Sequence, residues 1–265
     1  LVTADARRSD VTFADLSGYS PKDPAASANT LTVRDGVQGT PTTIARDTWQ
    51  LAGNVVTLED GFEPGRTYEL SYTPTSSPVS GLGFAAVRDT ASWPKYATDA
   101  PASAKYAYAF GSSQSGRFLR DFLYHGFNTD EKNRQVFDAV MAHIAGAARI
   151  DLNARGATPT ALGQFSATSF PFADMKQRDP ASGVEEGALD NPRARDHQPK
   201  IFYTNTGVEY WGGGRSAALV HTSPDGSKDL TLPDNERVYF LTGTQHGPAR
   251  FPSAVTNGQQ KENPN

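Results

Sequence analysis

The sequence predicts an α/β fold with a mostly parallel central sheet. Three runs rich in β-branched and aromatic residues, at 106–110, 200–206 and 237–242, are typical of strands. The first is followed directly by a helix-like pattern at 115–124, where phenylalanines and leucines repeat at i, i+4. A strand that leads straight into a helix is the unit from which parallel sheets are built, because parallel neighbours need a crossover connection.

Residues 1–75 are predicted to be rich in short strands. Runs at 31–34, 54–58 and 67–72 are separated by Gly, Pro and Asp residues that mark turns. We expect these residues to form an N-terminal extension that is continuous with a core at 76–265, so that the chain is one structural unit. A structural extension is the favoured role, and a carbohydrate-binding surface is the alternative.

Residues 81–93 change to a helical pattern, with apolar side chains on one side. Residues 147–199 carry few strand signals and many Pro, Gly, Asp and Arg residues. Because a long irregular connection between core strands is usually functional, we expect a lid-like insert there. Its residues Phe165, Phe170 and Phe172 are candidates for lining a substrate pocket; the alternative is that they anchor the insert to the core.

Residues 111–116, Gly-Ser-Ser-Gln-Ser-Gly, join the predicted strand to the helix and carry three serines. This stretch is a near match to Gly-x-Ser-x-Gly, the strand–turn–helix motif that exposes a nucleophilic serine in α/β-hydrolases. The residue at the tip of such an elbow has positive φ, so the residues two places before and after it must be small. Ser113 meets this condition, with Gly111 before it and Ser115 after it. Ser112 and Ser115 would each have a bulky residue in one of these places.

The backbone N–H of Gln114, the residue after Ser113, is the predicted donor to an oxyanion hole. A second donor is expected from the loop at 73–83. The alternative for the whole motif is an ordinary loop rich in glycine and serine.

A nucleophilic serine needs a base, and the base needs an acid that orients it. In α/β-hydrolases the order along the chain is serine, acid, histidine, and each residue follows the end of a strand. Glu209 follows the strand predicted at 200–206, and His246 lies in a loop after the strand predicted at 237–242. Ser113, Glu209 and His246 are therefore the candidate nucleophile, acid and base.

The remaining histidines and acids are weaker candidates. Four histidines are in places where this residue is more often structural: His125, His143, His197 and His221. Asp225 and Asp234 lie in the turn sequences Pro-Asp-Gly and Pro-Asp-Asn, where aspartate usually serves the turn itself. Aspartate is nevertheless the more common orienting acid, so Asp225 stays open as an alternative to Glu209.

Several stretches in register resemble a group of bacterial α/β-hydrolase-domain proteins that are mostly regarded as carboxylic-ester hydrolases. The resemblance runs from about residue 10 to 250 and rests on five segments: 61–68, 81–89, 111–120, 208–211 and 243–249. It implies that Ser113 is the nucleophile, His246 the base and Glu209 the acid. The sequence departs from that group at Ser112, where a larger residue is common. It also ends soon after His246, where members of the group usually continue, and we therefore expect a fragment or a protein that lacks C-terminal elements.

The resemblance implies a serine hydrolase that cleaves a small-molecule or polymeric carboxylic ester without a metal or organic cofactor. The alternatives are a peptidase or other acyl hydrolase with the same triad, and a non-catalytic binding protein of the same fold. We expect no nucleic-acid partner, because the net charge is −4 and the charges are interspersed.

The composition and the first residue bear on membrane spans, cysteine chemistry and localisation. No apolar run approaches the length of a membrane span, and the absence of cysteine excludes disulfides and thiol catalysis. The first residue is Leu1 rather than methionine, so we expect that an upstream segment was removed or never included. A signal peptide removed there would make the protein secreted or periplasmic.

Overall fold

A computed structural model describes residues 2–4, 6–13, 19–36, 39–76, 82–147, 150, 170–180, 182–211 and 216–247. These residues form two compact units, one of the described residues up to 76 and one of those from 82 to 247.

The first unit contains seven strands, β1 to β7: Val2–Thr3, Arg8–Thr12, Thr30–Asp35, Thr42–Ile44, Trp49–Ala52, Val55–Phe62 and Arg66–Ser71. The second unit contains six strands, β8 to β13: Tyr108–Ser112, Ala139–His143, Gln177–Arg178, Glu185–Glu186, Lys200–Thr206 and Glu236–Leu241. It also contains four α-helices, α1 to α4: Leu82–Tyr96, Gln114–Tyr124, Pro192–Arg195 and Gly207–Trp211.

The first unit is built from two antiparallel sheets with the strand orders β1-β7-β3-β4 and β2-β6-β5. Both sheets contribute to one buried apolar core, which includes Leu31 from one and Trp49 and Val56 from the other. The alternation along β5, where Trp49 and Leu51 are buried and the residues between and after them are exposed, is typical of a strand with one buried face. The strands predicted at 31–34, 54–58 and 67–72 are confirmed, and they pair with neighbours from within the first unit.

The second unit contains a four-stranded parallel sheet in the order β13-β12-β9-β8, which confirms the predicted parallel central sheet. Helix α2 packs on the face of the sheet that carries Val140 and Ile201, using side chains such as Phe122. Helix α1 packs against α2, since the ring centroid of Phe84 lies 4.8 Å from that of Phe118. The parallel register aligns the carboxyl ends of the strands, so the residues that follow them meet at one edge of the sheet.

The predicted helices at 81–93 and 115–124 are confirmed as α1 and α2, and the predicted strands at 200–206 and 237–242 as β12 and β13. The strand predicted at 106–110 is present as β8 but begins and ends two residues later. The segment that follows β12, residues 207–211, forms the short helix α4. Within the predicted insert at 147–199, the described residues contain only short elements, which are β10, β11 and α3.

Candidate active site

Ser113 stands between the last residue of β8 and the first residue of α2, with φ 55° and ψ −115°. A non-glycine residue with positive φ is uncommon, and here it makes the sharp turn from strand to helix that the sequence predicts. Two backbone hydrogen bonds fix the turn. The N–H of Ser113 donates to the carbonyl of His143 at 2.9 Å, and the carbonyl of Ser113 accepts from the N–H of Arg117 at 3.0 Å.

Close backbone contacts explain why the residues around Ser113 are small. A Cβ atom at Gly111 would lie 2.6 Å from the carbonyl carbon of Ser115, so any larger residue there would displace the turn. A Cβ atom at Gly116 would lie 2.9 Å from the Cβ of Ala145. The need for a small residue at position 111 could be predicted from the sequence. The need for one at position 116 could not, because it depends on Ala145, which is distant in the chain.

The structure brings Ser113, His246 and Glu209 together. The Oγ of Ser113 lies 3.0 Å from Nε2 of His246, and Nδ1 of the same ring lies 2.5 Å from Oε1 of Glu209. The carboxylate is fully buried, whereas the imidazole is about one-third exposed. A hydroxyl, an imidazole and a carboxylate in this sequence of contacts form the arrangement that activates a serine for nucleophilic attack.

Glu209 lies in the first turn of α4 and is held there by Thr206, the last residue of β12. The backbone N–H of Thr206 donates to Oε2 of Glu209 at 3.0 Å, and the Thr206 hydroxyl donates to the same oxygen. Burial raises the pKa of Glu209, but the hydrogen bonds from Thr206 and His246 outweigh burial and hold the pKa below its ordinary value. The carboxylate therefore stays ionised beside the imidazole.

Sequence reasoning missed Thr206, although a signal was present. Residues 206–209 read Thr-x-x-Glu, the pattern of a capping box, in which the glutamate side chain accepts from the N–H of the residue that caps the helix. That contact is present here. It leaves Oε1 of Glu209 directed at His246, so one carboxylate caps a helix and orients an imidazole.

The predicted oxyanion-hole residue Gln114 is the first residue of α2. The first N–H groups of a helix have no acceptor within the helix, so the N–H of Gln114 is suited to bind an oxyanion beside Ser113. The loop at 73–83, expected to supply the second donor, is described only in part, because residues 77–81 lie outside the described residues.

The three predicted substrate-contacting phenylalanines are only partly described. Phe165 lies outside the described residues. Phe170 and Phe172 are half-buried, and their rings meet edge to face with centroids 5.9 Å apart. Phe172 also packs against the core of the second unit, and its carbonyl accepts from the guanidinium of Arg120 on α2. This contact agrees with the alternative in which Phe172 anchors its segment to the core.

The weaker candidates have other partners. Nδ1 of His143 lies 2.7 Å from the Thr204 hydroxyl, Nε2 of His197 lies 2.9 Å from the carbonyl of Asn133, and Nε2 of His221 lies 2.9 Å from the Tyr210 hydroxyl; the ring of His125 lies beside Phe84. Asp225 accepts hydrogen bonds from Ser223 and Ser227 within its own turn. The hydrogen bond from Ser223, followed by those from Ser227, lowers the pKa of Asp225 to about 2.

A second group of buried ionisable side chains comprises Arg120, Asp174, Tyr203 and Glu236. The Tyr203 hydroxyl donates to the Asp174 carboxylate at 2.9 Å, and the Arg120 guanidinium lies 4.8 Å from the centre of the Tyr203 ring. Burial and, after it, the negative charge of Asp174 raise the pKa of Glu236 to about 8, although the positive charge of Arg120 opposes the rise. One arginine thus faces two carboxyl groups whose pKa values are both raised, chiefly by burial.

The described residues contain neither a membrane-spanning helix nor a cluster of metal ligands. No helix among them has the length and apolar character that crossing a membrane requires. No group of three or more His, Asp or Glu side chains among them is placed to hold a metal ion.

Comparison with known proteins assigns the fold to a family. No curated protein and no solved structure matches the chain. The model of a family described as "Alpha/beta hydrolase domain" matches residues 29–265, a range that includes the elbow at Ser113 and the segments that carry Glu209 and His246. The match covers most of the sequence and agrees with the parallel sheet flanked by helices, and the chain therefore belongs to the alpha/beta hydrolase domain family.

Proposed function

We propose that the protein is a serine hydrolase that cleaves a carboxylic ester through an acyl-enzyme, with Ser113 as nucleophile, His246 as base and Glu209 as orienting acid. The observation that carries the proposal is the continuous contact from Ser113 Oγ through the His246 ring to the buried Glu209 carboxylate. Membership of a hydrolase family supports the reaction class.

In the first half of the reaction, Nε2 of His246 takes the proton of the Ser113 hydroxyl as Oγ attacks the ester carbonyl carbon. The carbonyl oxygen becomes an oxyanion, to which the N–H of Gln114 donates. The carbon–oxygen bond to the alcohol then breaks, and the alcohol leaves with the proton from His246. The acyl group remains on Oγ.

In the second half, a water molecule takes the place of the alcohol. His246 removes a proton from it, the hydroxide attacks the acyl carbon, and the carboxylic acid leaves as Ser113 regains its proton from His246. Glu209 remains ionised throughout, since the proton on Nδ1 stays with the imidazole. Its negative charge stabilises the imidazolium that forms twice in each cycle.

The proposal is tested with Ser113→Ala and, as a matched control, Ser112→Ala. Ser112 is exposed, is the last residue of β8 and neighbours Ser113, so its replacement preserves the elbow. We expect Ser113→Ala to lower kcat on p-nitrophenyl acetate by roughly a thousandfold or more, and Ser112→Ala to change it little. Equal activity of the two variants would contradict the proposal.

The same assay separates the ester hydrolase from its alternatives. Faster turnover of peptide p-nitroanilides than of p-nitrophenyl esters would indicate a peptidase with the same triad. A binding protein of the same fold would hydrolyse neither substrate, and its ligand binding would survive Ser113→Ala.

A further inference from the structure

Helix α4 carries Glu209 but is too short to hold its own position. It has five residues, Gly207–Trp211. Isolated helices shorter than about 12–15 residues are marginal in water, because the first turn fixes several residues for a single hydrogen bond. The contacts between Thr206 and Glu209 fix the beginning of the helix. The orientation of the rest of α4 must therefore come from contacts with other elements.

Tyr210, the residue after Glu209, makes two such contacts. In the first, its ring stacks on that of Phe240 on β13, with centroids 4.3 Å apart and planes inclined by 22°. Strand β13 leads into the segment that carries His246. The stack therefore joins the helix that carries the acid to the strand that leads to the base.

The Tyr210 hydroxyl makes the second contact, with His221. The hydroxyl oxygen lies 2.9 Å from Nε2 of His221, whose Nδ1 lies 3.4 Å from Oδ1 of Asp229. Because a carboxylate only accepts hydrogen bonds, the imidazole proton belongs on Nδ1, and Nε2 accepts from the tyrosine hydroxyl. His221 follows a 3₁₀ helix at Ala217–Val220, so this hydrogen bond ties α4 to a further segment of the second unit.

The neighbouring side chains of α4 are less engaged. Val208 and Trp211 are 45% and 77% exposed. Trp211 meets the rings of Tyr210 and Phe240 edge to face, whereas the stack of Tyr210 on Phe240 brings the two rings face to face at a shorter distance. Tyr210 is thus the residue through which α4 packs most closely on β13.

We propose that Tyr210 is a positioning residue, whose stack on Phe240 holds α4 so that the Glu209 carboxylate stays against the His246 ring. This inference rests on the proposed function, because it concerns the geometry of the same triad. Tyr210 acts through Glu209: without the stack, α4 shifts and Oε1 moves away from Nδ1 of His246. A displacement of about 1 Å at a catalytic group can cost about a hundredfold in rate.

The test compares Tyr210→Leu and Tyr210→Phe with wild type in the hydrolysis of p-nitrophenyl acetate. Leucine can neither stack nor donate, and we expect kcat to fall by about 10- to 100-fold with KM within about twofold of wild type, because the acid is displaced and substrate binding is not. Phenylalanine keeps the stack and loses only the hydrogen bond to His221, so its kcat should stay within about fivefold of wild type.

A double-mutant cycle separates positioning from a general effect on the fold. In the Glu209→Gln background, Tyr210→Leu should lower kcat by less than about twofold further, because the acid that it positions is already gone. The matched control is Tyr239→Leu, which removes an exposed ring from the face of β13 opposite Phe240, where it stacks on Phe202. This variant should keep kcat within about twofold of wild type.

Three results would overturn the role of Tyr210: wild-type kcat in Tyr210→Leu, an equal loss in Tyr210→Phe, or a loss of about tenfold or more that persists in the Glu209→Gln background. If Tyr210→Leu does not fold, Phe240→Leu removes the same stack from the side of β13 and takes its place, with the same expected loss of kcat.

Fluorophosphonate labelling of the wild-type protein keeps this inference separate from the function on which it rests. Absence of an adduct on Ser113 would overturn the proposed function. Normal labelling of Ser113 together with wild-type kcat in Tyr210→Leu would overturn the role of Tyr210 alone.

Discussion

Nδ1 of His246 lies 2.5 Å from Oε1 of Glu209, a carboxylate that is fully buried. The two residues come from the segments that follow neighbouring parallel strands, β12 and β13, so the sheet brings together groups 37 residues apart in the sequence. Because Oε2 of Glu209 already accepts two hydrogen bonds from Thr206, Oε1 is the carboxylate oxygen that faces the imidazole. Contacts within the protein thus fix the position of this carboxylate.

Replacement of Glu209 by glutamine tests the role of this carboxylate. The amide N–H₂ of glutamine would favour the wrong imidazole tautomer, with the proton on Nε2, so that His246 could not accept the proton of Ser113. We expect kcat on p-nitrophenyl acetate to fall by roughly 10³- to 10⁴-fold, with a smaller change in KM. Asp225→Asn is the control, because Asp225 serves its own turn. A larger loss in Asp225→Asn than in Glu209→Gln would assign the acid to Asp225.

Replacement of Thr206 by valine tests how Glu209 is held. Valine keeps the shape and the backbone N–H but lacks the hydroxyl that donates to Oε2. We expect the free energy of unfolding to fall by about 1.5–3 kcal/mol, the size of a hydrogen bond to a charged group, and kcat to fall as well. Urea denaturation measures the free energy of unfolding, and hydrolysis of p-nitrophenyl acetate measures kcat.

Thr222→Val is the control for Thr206→Val. The buried Thr222 hydroxyl has no hydrogen-bond partner in the part of the chain that the structure describes. Its loss should leave stability unchanged or slightly higher, because no hydrogen bond is broken. Equal destabilisation of the two variants would show that the Thr206 hydroxyl does not specifically support Glu209.

Replacement of Gly111 by alanine tests the steric argument for the elbow. The added Cβ would meet the backbone of residues 115 and 116 and displace Ser113, so we expect kcat/KM to fall by about a hundredfold. Gly83→Ala is the control: a Cβ there meets open space at the start of α1, and alanine should stabilise the helix by up to about 1 kcal/mol. Full activity of Gly111→Ala would show that the turn tolerates a side chain two residues before Ser113.

Glu236 predicts a pH dependence of stability. Its pKa is raised to about 8 in the folded protein, above the ordinary value of 4.5 that applies when the chain is unfolded. The contribution of this group to stability is therefore fully present below about pH 4.5 and is lost as pH rises through about 8. We expect Glu236→Gln to remove this loss, so that the free energy of unfolding at pH 9 exceeds that of wild type.

The matched control for Glu236→Gln is Glu59→Gln, at an exposed glutamate of the first unit. Its stability should follow the wild-type pH profile between pH 5 and 9. A wild-type profile that rises with pH over this interval, or one that Glu236→Gln leaves unchanged, would contradict the raised pKa of Glu236.

The sequence predicted most elements around the site because their signals are local. The i, i+4 repeats in α2 and the small residues beside Ser113 each depend on neighbours within one turn. Strand β9 was not identified, since its alternation of alanine with larger apolar residues is weak, yet it lies between β8 and β12 and supplies the carbonyl that fixes Ser113.

Contacts between distant segments were beyond the sequence argument. The buried group of Arg120, Asp174, Tyr203 and Glu236 joins four segments whose charges look like ordinary surface residues when the sequence is taken alone. The positive φ of Ile144, 46°, likewise leaves no local pattern in the sequence.

The most direct test of the central claim is the mapping of a fluorophosphonate adduct by peptide mass spectrometry. We expect an adduct on Ser113 in the wild-type protein and its loss in His246→Ala, because the probe reacts with a serine whose hydroxyl proton is removed by a neighbouring base. An adduct on Ser112 or Ser115, or a protein that hydrolyses esters and forms no adduct, would contradict the role of Ser113 as nucleophile.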